Sequence, residues 1–244
     1  MSGHPAGPAT DPGTAQPGYV IAIDGPSGTG KSTVARRVAE LLGAGYLDTG
    51  AMYRIVTLHV LRSGVDPDDP AAVADHLDGL EFASPTDPRQ QCHRLAGDDV
   101  TARIRDADVT LAVTPVSANP AVRRFLLERQ RTLARSGRMV VEGRDIGTVI
   151  VPDAALKVYL TADAAERARR RFRQTVGVGP HDSAAEDALA AVARDLHRRD
   201  SSDSTRQHAP LQAADDAVVI DSSALGVEET VAAVMELAAA RGIS

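Results

Sequence analysis

The chain has 244 residues, 43% of them hydrophobic, which is enough to bury the core of one compact domain. A formal net charge of −6 and an aromatic content of 3% exclude a broad basic surface and a base-stacking platform for nucleic acid. A single cysteine excludes a disulfide framework, and no apolar run approaches the ~20 residues that span a membrane. We therefore expect a cytoplasmic protein without nucleic-acid or membrane partners, and no apolar stripe requires more than a monomer.

The first residues, 1–18, are rich in Gly, Pro, Ala and Thr and lack the basic start and apolar stretch of a signal peptide. This composition predicts a disordered tail. In the remaining chain, 19–244, five short apolar segments predict buried strands, and helical patterns lie between them. Alternating strands and helices predict an α/β fold with a five-stranded parallel sheet flanked by helices. The predicted strands are Tyr19–Ile23, Gly45–Leu47, Met139–Glu142, Leu156–Leu160 and Ala217–Ile220.

Apolar residues recur at helical spacing in five stretches, each of which predicts an amphipathic helix. The first stretch is followed by Gly43, a residue type that commonly terminates helices. The fourth follows Ser183 and Glu186, which are spaced as a capping box. The stripes are Val34, Val38, Leu41 and Leu42; Ile55, Leu58 and Leu61; Val122, Leu126, Leu127 and Leu133; Leu189, Val192 and Leu196; and Val227, Val231, Val234 and Leu237.

Two segments interrupt this rhythm. Residues 65–115 contain a stretch rich in Asp, Pro and Gly without a clear helical stripe, so we expect an inserted subdomain with short strands near Leu80–Ala83 and Gln91–Leu95. Residues 198–211 form a polar run dense in Arg and Asp from which no core can be made, so we expect a mobile loop. The arginine-rich stretch Arg167–Arg173 is expected to lie on a helix, where it either helps to neutralise charge on a transferring group or, as we favour, forms a solvated face.

The most specific pattern is a glycine-rich sequence between the first predicted strand and the first predicted helix. It reads Gly-Pro-Ser-Gly-Thr-Gly-Lys-Ser and fits the phosphate-loop pattern G-x-x-x-x-G-K-[ST] in the context that this pattern requires. Glycines let several backbone N–H groups point into one concavity, and the helix N-terminus adds a partial positive charge. Lys31 would reach the β- and γ-phosphates, and Ser32 would ligate Mg²⁺. The predicted ATP-binding residues are Gly25, Pro26, Ser27, Gly28, Thr29, Gly30, Lys31, Ser32 and Thr33.

The nucleotide base and the reaction need separate evidence. The sole asparagine, Asn119, is not part of the Asn-Lys-x-Asp pattern with which GTPases read guanine, so we expect ATP rather than GTP. A phosphate loop alone does not define the reaction, because motors, regulatory ATPases and small kinases share it.

Three polar clusters are candidates for an acceptor site. Thr49 and Arg54 follow the second predicted strand, while Arg144 and Asp145 follow the third, at the sheet edge where open α/β folds bind ligands. Arginines there would clamp a phosphate, although a surface arginine or a structural ion pair would give the same pattern. The third cluster, Arg198–Arg206, is either a solvated loop or a lid that excludes water and neutralises the transferring group.

Together these patterns resemble the bacterial cytidylate kinases over nearly all of the chain from Tyr19 onward. The matching stretches are I-D-G-P-S-G-x-G-K-S, L-D-T-G-A-M-Y-R, V-x-x-x-P-x-V-R, E-G-R-D-I-G-T-V-x-x-P-D-A and R-D-x-x-D-x-x-R. The fourth stretch is the most specific, because generic nucleoside monophosphate kinases lack it. The resemblance implies ATP- and Mg²⁺-dependent phosphorylation of CMP and dCMP, with residues 65–115 as an acceptor-binding insert and residues 198–211 as a lid.

The resemblance also implies roles for the acceptor residues. Arg54 and Arg144 would hold the acceptor phosphate, with Thr49 near it. Arg123 would donate to the cytosine O2 and N3, and Asp145 would accept from the exocyclic amine. Uracil exchanges the hydrogen-bonding roles of these two groups: it has an acceptor in place of the amine and a donor in place of the ring acceptor. Such a pair would therefore discriminate between the bases, because a mispaired buried group costs ~1–3 kcal/mol.

The remaining implied residues lie near the base, the sugar and the phosphates. Thr114 stands where the family usually has a serine near the base, which keeps the hydroxyl and adds a methyl group. Asp203 would bind sugar hydroxyls, with Arg199 and Arg206 beside it on the sugar and phosphates. The expected catalytic residues are Lys31, Arg144 and Arg199.

Two other functions would also fit a phosphate loop in a chain of this size. A shikimate-type small-metabolite kinase would show no preference for nucleotide acceptors. A nucleotide-switched binding module would bind ATP tightly, turn it over negligibly and bury Arg198–Arg206 against a protein partner.

Overall fold

A computed structural model describes residues 18–175, 183–206 and 209–244, so only Gly18 of the predicted tail falls within the described ranges. The main sheet has five parallel strands, which confirms the predicted fold class. Each strand begins and ends within one residue of its predicted bounds. Their spatial order is β2 (Gly45–Asp48), β6 (Met139–Gly143), β1 (Val20–Asp24), β7 (Leu156–Thr161) and β8 (Val218–Asp221).

The central strand β1 and its neighbour β6 place the site. Every residue of both strands is buried, because helices cover both faces of a parallel sheet. The two strands are in register, with Asp24 opposite Gly143 at their carboxyl ends. The segments that leave these two strands therefore start side by side at one edge of the sheet.

The described ranges contain eight α-helices that pack on the two faces of the sheet. One core cluster joins Leu47, Ile55 and Leu126, and a second joins Val34 and Leu160 with the C-terminal helix. Among the helices of these ranges, none combines the length and the apolar character that a membrane span requires. The helices are α1 (Lys31–Leu41), α2 (Thr49–Arg62), α3 (Pro70–Asp75), α4 (Ala107–Ala118), α5 (Pro120–Ala134), α6 (Ala164–Thr175), α7 (Ser183–Ser204) and α8 (Val227–Ala240).

The segment predicted as an insert contains a small antiparallel sheet of three two-residue strands. These are β3 (Phe82–Ala83) and β4 (Arg94–Leu95), near the predicted positions, and β5 (Asp98–Asp99), which was not predicted. Two helices also fall within it, α3 and most of α4. Helix α3 is too short to show a stripe, and α4 contains Pro115, which obscured it in the sequence.

The prediction of a loop over residues 198–211 is wrong for its first half. Arg198–Ser204 form the last two turns of α7. This stretch contains neither Gly nor Pro, and Arg198 pairs with Asp195 three residues earlier, which supports a helix. Arg199, Asp200 and Asp203 face the site described below, while Arg198, Ser201 and Ser204 face solvent.

The depth of the core gives a stability prediction. Leu126 on α5 is completely buried, so Leu126→Ala should lower the free energy of unfolding by about 2–5 kcal/mol. Leu41, predicted as part of the buried stripe of α1, is instead 51% exposed and provides the matched control. Leu41→Ala should change the same quantity by less than about 0.5 kcal/mol in urea denaturation. Similar losses in both variants would contradict the described core.

Candidate active site

The phosphate loop connects β1 with α1 and is shaped by its glycines. Gly25, Gly28 and Gly30 all have positive φ angles, of 148°, 82° and 94°. A Cβ on Gly25 would lie 2.0 Å from the carbonyl oxygen of Leu160, so the loop packs directly against β7. A Cβ on Gly30 would meet no atom within 4 Å, which leaves open space over this part of the loop. The loop thus has the concave backbone and free volume that an anionic phosphate requires.

Lys31 begins α1 and is buried. Its Nζ donates a hydrogen bond of 2.6 Å to the carbonyl oxygen of Pro26, across the loop. Burial and the charge of Arg144 lower the pKa of Lys31, while the carboxylates of Glu142 and Asp24 oppose this shift. A bound phosphate would supply the negative charge that keeps the ammonium form.

Two buried carboxyl groups behind the loop were not among the predicted site residues. Both oxygens of Asp24 accept 2.8 Å hydrogen bonds, from the backbone N–H groups of Ile146 and Gly147. Glu142 accepts a hydrogen bond of 2.5 Å from the Tyr46 hydroxyl. Burial raises the pKa of both carboxyl groups, that of Asp24 to about 6. Each directly follows apolar residues of a predicted strand, and this was the signal that could have identified them.

The raised pKa of Asp24 predicts how stability depends on pH. Because the pKa rises from 3.8 in the unfolded chain to about 6 in the folded protein, the folded state holds this proton more tightly. The resulting stabilisation is complete below pH ~4 and is lost as the pH rises through about 6. The side chain of Asp24→Asn does not titrate, so the variant does not lose this stabilisation. Relative to wild type, its free energy of unfolding should therefore rise by roughly 3 kcal/mol from about pH 4 to pH 7. Urea denaturation at both pH values measures this gain, and a pH-independent difference would contradict it.

The acceptor residues predicted from the sequence lie together. One pocket at the carboxyl edge of the sheet is lined by all nine of them. Gly50, Tyr53, Val113, Ser117 and Gly143 also line it and were not predicted. The nine predicted residues are Thr49, Arg54, Thr114, Arg123, Arg144, Asp145, Arg199, Asp203 and Arg206.

Positive charge is concentrated at one part of this pocket. Arg54 donates hydrogen bonds to the carbonyl oxygen of Ile104 at 3.0 Å and to the hydroxyl of Thr110 at 2.9 Å, which orient it without neutralising it. Burial lowers the pKa of Arg54 to about 9, and the nearby charge of Arg199 adds to this effect. Arg199 has no hydrogen-bond or ion-pair partner among the residues that the structure describes. Such a cluster would be stabilised by a phosphate.

The predicted base-reading pair forms a contact in one wall of the pocket. The guanidinium of Arg123 bonds to the carboxylate of Asp145, and the two side chains are only 11% and 6% exposed. Arg123 also lies over the ring of Tyr53, 5.7 Å from its centroid. Burial raises the pKa of Asp145, and the charge of Arg123 opposes this rise. The pair therefore presents fixed donors and an acceptor side by side in a place with little solvent.

Arg144 joins the phosphate loop to the acceptor pocket. Its Nη1 donates to the carbonyl oxygen of Gly25 at 3.0 Å and its Nη2 to the hydroxyl of Ser27 at 2.6 Å. Its Nε donates to Asp203 at 2.8 Å, and Asp203 also pairs with Arg206. One guanidinium thus contacts the phosphate loop through Gly25 and Ser27, and the acceptor pocket through Asp203 on α7.

The prediction of a mainly solvated arginine face on α6 is wrong for two of its residues. Arg167 donates to the carbonyl oxygen of Ser27 at 3.1 Å, and Arg170 to that of Thr29 at 3.3 Å. Arg170 also holds the carbonyl oxygen of Ser222 at 2.6 Å. Both guanidinium groups therefore hold the phosphate loop through its backbone carbonyl oxygens.

The donor set next to the loop suits a particular class of metal ion. Ser32 lies in the first turn of α1, and its hydroxyl forms a hydrogen bond to Glu142 that opposes the rise in the pKa of that carboxyl. Within residues 18–175, 183–206 and 209–244, no three His, Cys, Asp or Glu side chains are grouped as a metal cage. One hydroxyl with one carboxylate behind it fits Mg²⁺, which keeps water and phosphate oxygens as ligands.

A parallel sheet with a phosphate loop after its central strand, and an arginine-rich pocket at the same edge, defines the phosphate-loop kinases. Within this class the chain belongs to the cytidylate kinase family, and it is accordingly a nucleoside monophosphate kinase. The family model described as "Cytidylate kinase" matches residues 21–240.

Curated relatives match over most of their length. The chain is 54% identical to the cytidylate kinase of Rhodococcus opacus (strain B4), covering 87% of this chain and 91% of the relative. It is 48% identical to that of Mycobacterium leprae (strain Br4923), covering 89% and 94%. A solved shikimate kinase from Acinetobacter baumannii is 16% identical with a TM-score of 0.40, covering 93% and 96%.

Proposed function

We propose that this protein transfers the γ-phosphoryl group of ATP to CMP and dCMP, giving ADP with CDP and dCDP. The observation that best supports this proposal is the Arg123–Asp145 pair in a pocket that also holds a cluster of arginines. A buried donor–acceptor pair suits a cytosine edge, and the arginines suit the phosphate of the same nucleotide. The curated relatives named cytidylate kinases support the same substrate.

The transfer requires positioning and charge neutralisation rather than a strong base, because the acceptor phosphate is already anionic. An oxygen of the acceptor phosphate attacks the γ-phosphorus in line, and the bond from this phosphorus to the β–γ bridging oxygen breaks. Lys31 neutralises charge on the β- and γ-phosphates from the loop. Ser32 would hold Mg²⁺, which would supply further neutralisation of the charge on these phosphates.

Arg144 and Arg199 act from the opposite side. Arg144 spans the loop and the pocket, so its guanidinium lies where the two phosphates would face each other. Arg199 is attracted by Asp203 and Asp195 but makes no hydrogen bond to them among the described residues, and it is available to the transferring group. Arg54 holds the acceptor phosphate with Thr49, whose hydroxyl donates to the carbonyl oxygen of Glu142 at 2.7 Å.

Residues near the end of α7 would bind the sugar. The carboxylate of Asp203 is fixed by Arg144 and Arg206, and the hydroxyl of Ser117 accepts from Arg206 at 3.2 Å. Asp203 would accept from a sugar hydroxyl, while Thr114 would approach the base with its hydroxyl. We further propose that the protein is a monomer and lies in the cytoplasm.

A coupled ADP-release assay over CMP, dCMP, UMP, AMP and shikimate tests this function. We expect the highest kcat/KM for CMP and dCMP, and a value for UMP at least about tenfold lower. Activity with shikimate alone would indicate a small-metabolite kinase. Tight ATP binding without ADP release for any acceptor would indicate a nucleotide-switched binding module.

A further inference from the structure

A carboxylate of the protein itself occupies part of the phosphate loop. Asp200 lies near the end of α7, and its Oδ1 accepts a 3.3 Å hydrogen bond from the backbone N–H of Ser27. Its Oδ2 bonds to the guanidinium of Arg167 on α6. Arg167 also donates to the carbonyl oxygen of Ser27, so the two side chains hold the peptide groups on both sides of this residue.

Ser27 stands between the donor and acceptor sides of the site. Its backbone belongs to the loop that would cradle the ATP phosphates, and its hydroxyl accepts from Arg144 at 2.6 Å. Arg144 lines the acceptor pocket. The Ser27 N–H therefore lies where the γ-phosphoryl group would meet the acceptor, and this N–H is the one that Asp200 occupies.

We propose that Asp200 is a resident anion of the phosphate loop, which takes the place of the transferring γ-phosphoryl group and must be displaced when ATP binds. This inference rests on ATP being the phosphoryl donor. The cations around Asp200, namely Lys31, Arg144 and Arg167, are those that a γ-phosphate would need. A carboxylate among them offsets part of their positive charge in the empty enzyme.

Displacement would also release Arg167. Its Nε stays bonded to the carbonyl oxygen of Ala162 at 3.1 Å, and its Nη1 to that of Ser27, so the guanidinium remains beside the loop. Because Nη1 also makes the bond to Asp200, its second N–H is freed and can donate to phosphate without a change in the position of α6. Arg167 is thus a further nucleotide-binding residue, and Asp200 is the residue that positions it.

Binding of AMP-PNP and of ADP, each with Mg²⁺, to full-length protein by calorimetry tests this proposal. Asp200→Asn removes the charge but keeps the shape, so it should bind AMP-PNP about 5- to 50-fold more tightly than wild type. Its affinity for ADP, which lacks the γ-phosphoryl group, should stay near the wild-type value. Asp153→Asn removes the same charge from a surface pair with Arg135 and should leave both affinities unchanged.

Each other result has a distinct meaning. Unchanged or weaker AMP-PNP binding in a folded Asp200→Asn variant would overturn the proposal, as would an equal gain for ADP and AMP-PNP. If Asp200→Asn does not fold, Asp200→Ala should show the same selective gain, and its absence there would overturn the proposal equally. Wild-type protein that binds no AMP-PNP would instead refute ATP as the donor.

Discussion

Replacement of Lys31 by alanine is expected to lower kcat at least about 1000-fold, because an ammonium group on the β- and γ-phosphates would be lost at the point of charge transfer. The fold should survive, since Lys31 makes one hydrogen bond, to Pro26, and its buried charge is disfavoured in the empty enzyme. Coupled ADP release with CMP measures turnover, and circular dichroism during heating checks the fold.

Arg37→Ala is the matched control for this variant. Arg37 lies on the same helix, half-exposed, and pairs with Glu40 one turn away. Its loss should leave kcat at the wild-type value, because exposed pairs of this kind contribute little. A folded Lys31→Ala protein that retained near-normal turnover would remove Lys31 from the proposed mechanism.

Asp145→Ala should produce the second-largest effect, on the choice of base. The substitution removes the acceptor for the cytosine amine and leaves the buried guanidinium of Arg123 without its carboxylate. We expect kcat/KM for CMP to fall about 10- to 100-fold and kcat/KM for UMP to fall much less. The measured quantity is the ratio of the two values.

Asp153→Ala serves as the control for this experiment, because Asp153 pairs with Arg135 on the surface. It should leave the CMP-to-UMP ratio unchanged. If Asp145→Ala also left that ratio unchanged while lowering both values equally, Asp145 would have a structural role and base selection would reside elsewhere in the pocket.

Strands and the phosphate loop could be predicted because their signals are local. A buried strand such as Val20–Asp24 is a continuous apolar run, and a phosphate loop needs glycines and a lysine at fixed spacing. The acceptor residues come from four distant segments, and it was the resemblance to a family that grouped them. The structure brings them to one pocket, although no sequence period links them.

The contacts that were not predicted depend on how α6 and α7 pack against the phosphate loop. The side chains of Asp200 and Arg167 belong to polar stretches that look solvated when read along the chain. They are partly buried because α7 ends over the phosphate loop and α6 runs beside it. The polarity of these stretches therefore predicted exposed side chains, whereas Asp200 and Arg167 are partly buried because they bind polar groups of the loop. The buried Asp24 escaped for a similar reason, since its partners lie in another segment.

The pairing of β1 with β6 also fixes how far apart the two substrates can lie. Asp24 on β1 pairs with Gly143 on β6. The phosphate loop begins directly after Asp24, and Arg144 directly follows Gly143. Adjacent strands are ~4.8 Å apart, so the reach between nucleotide donor and acceptor is built into the backbone spacing of the sheet. Movements of the insert or of α7 would govern entry and release, while the pairing of the two strands would keep the loop and Arg144 at a constant separation from one turnover to the next.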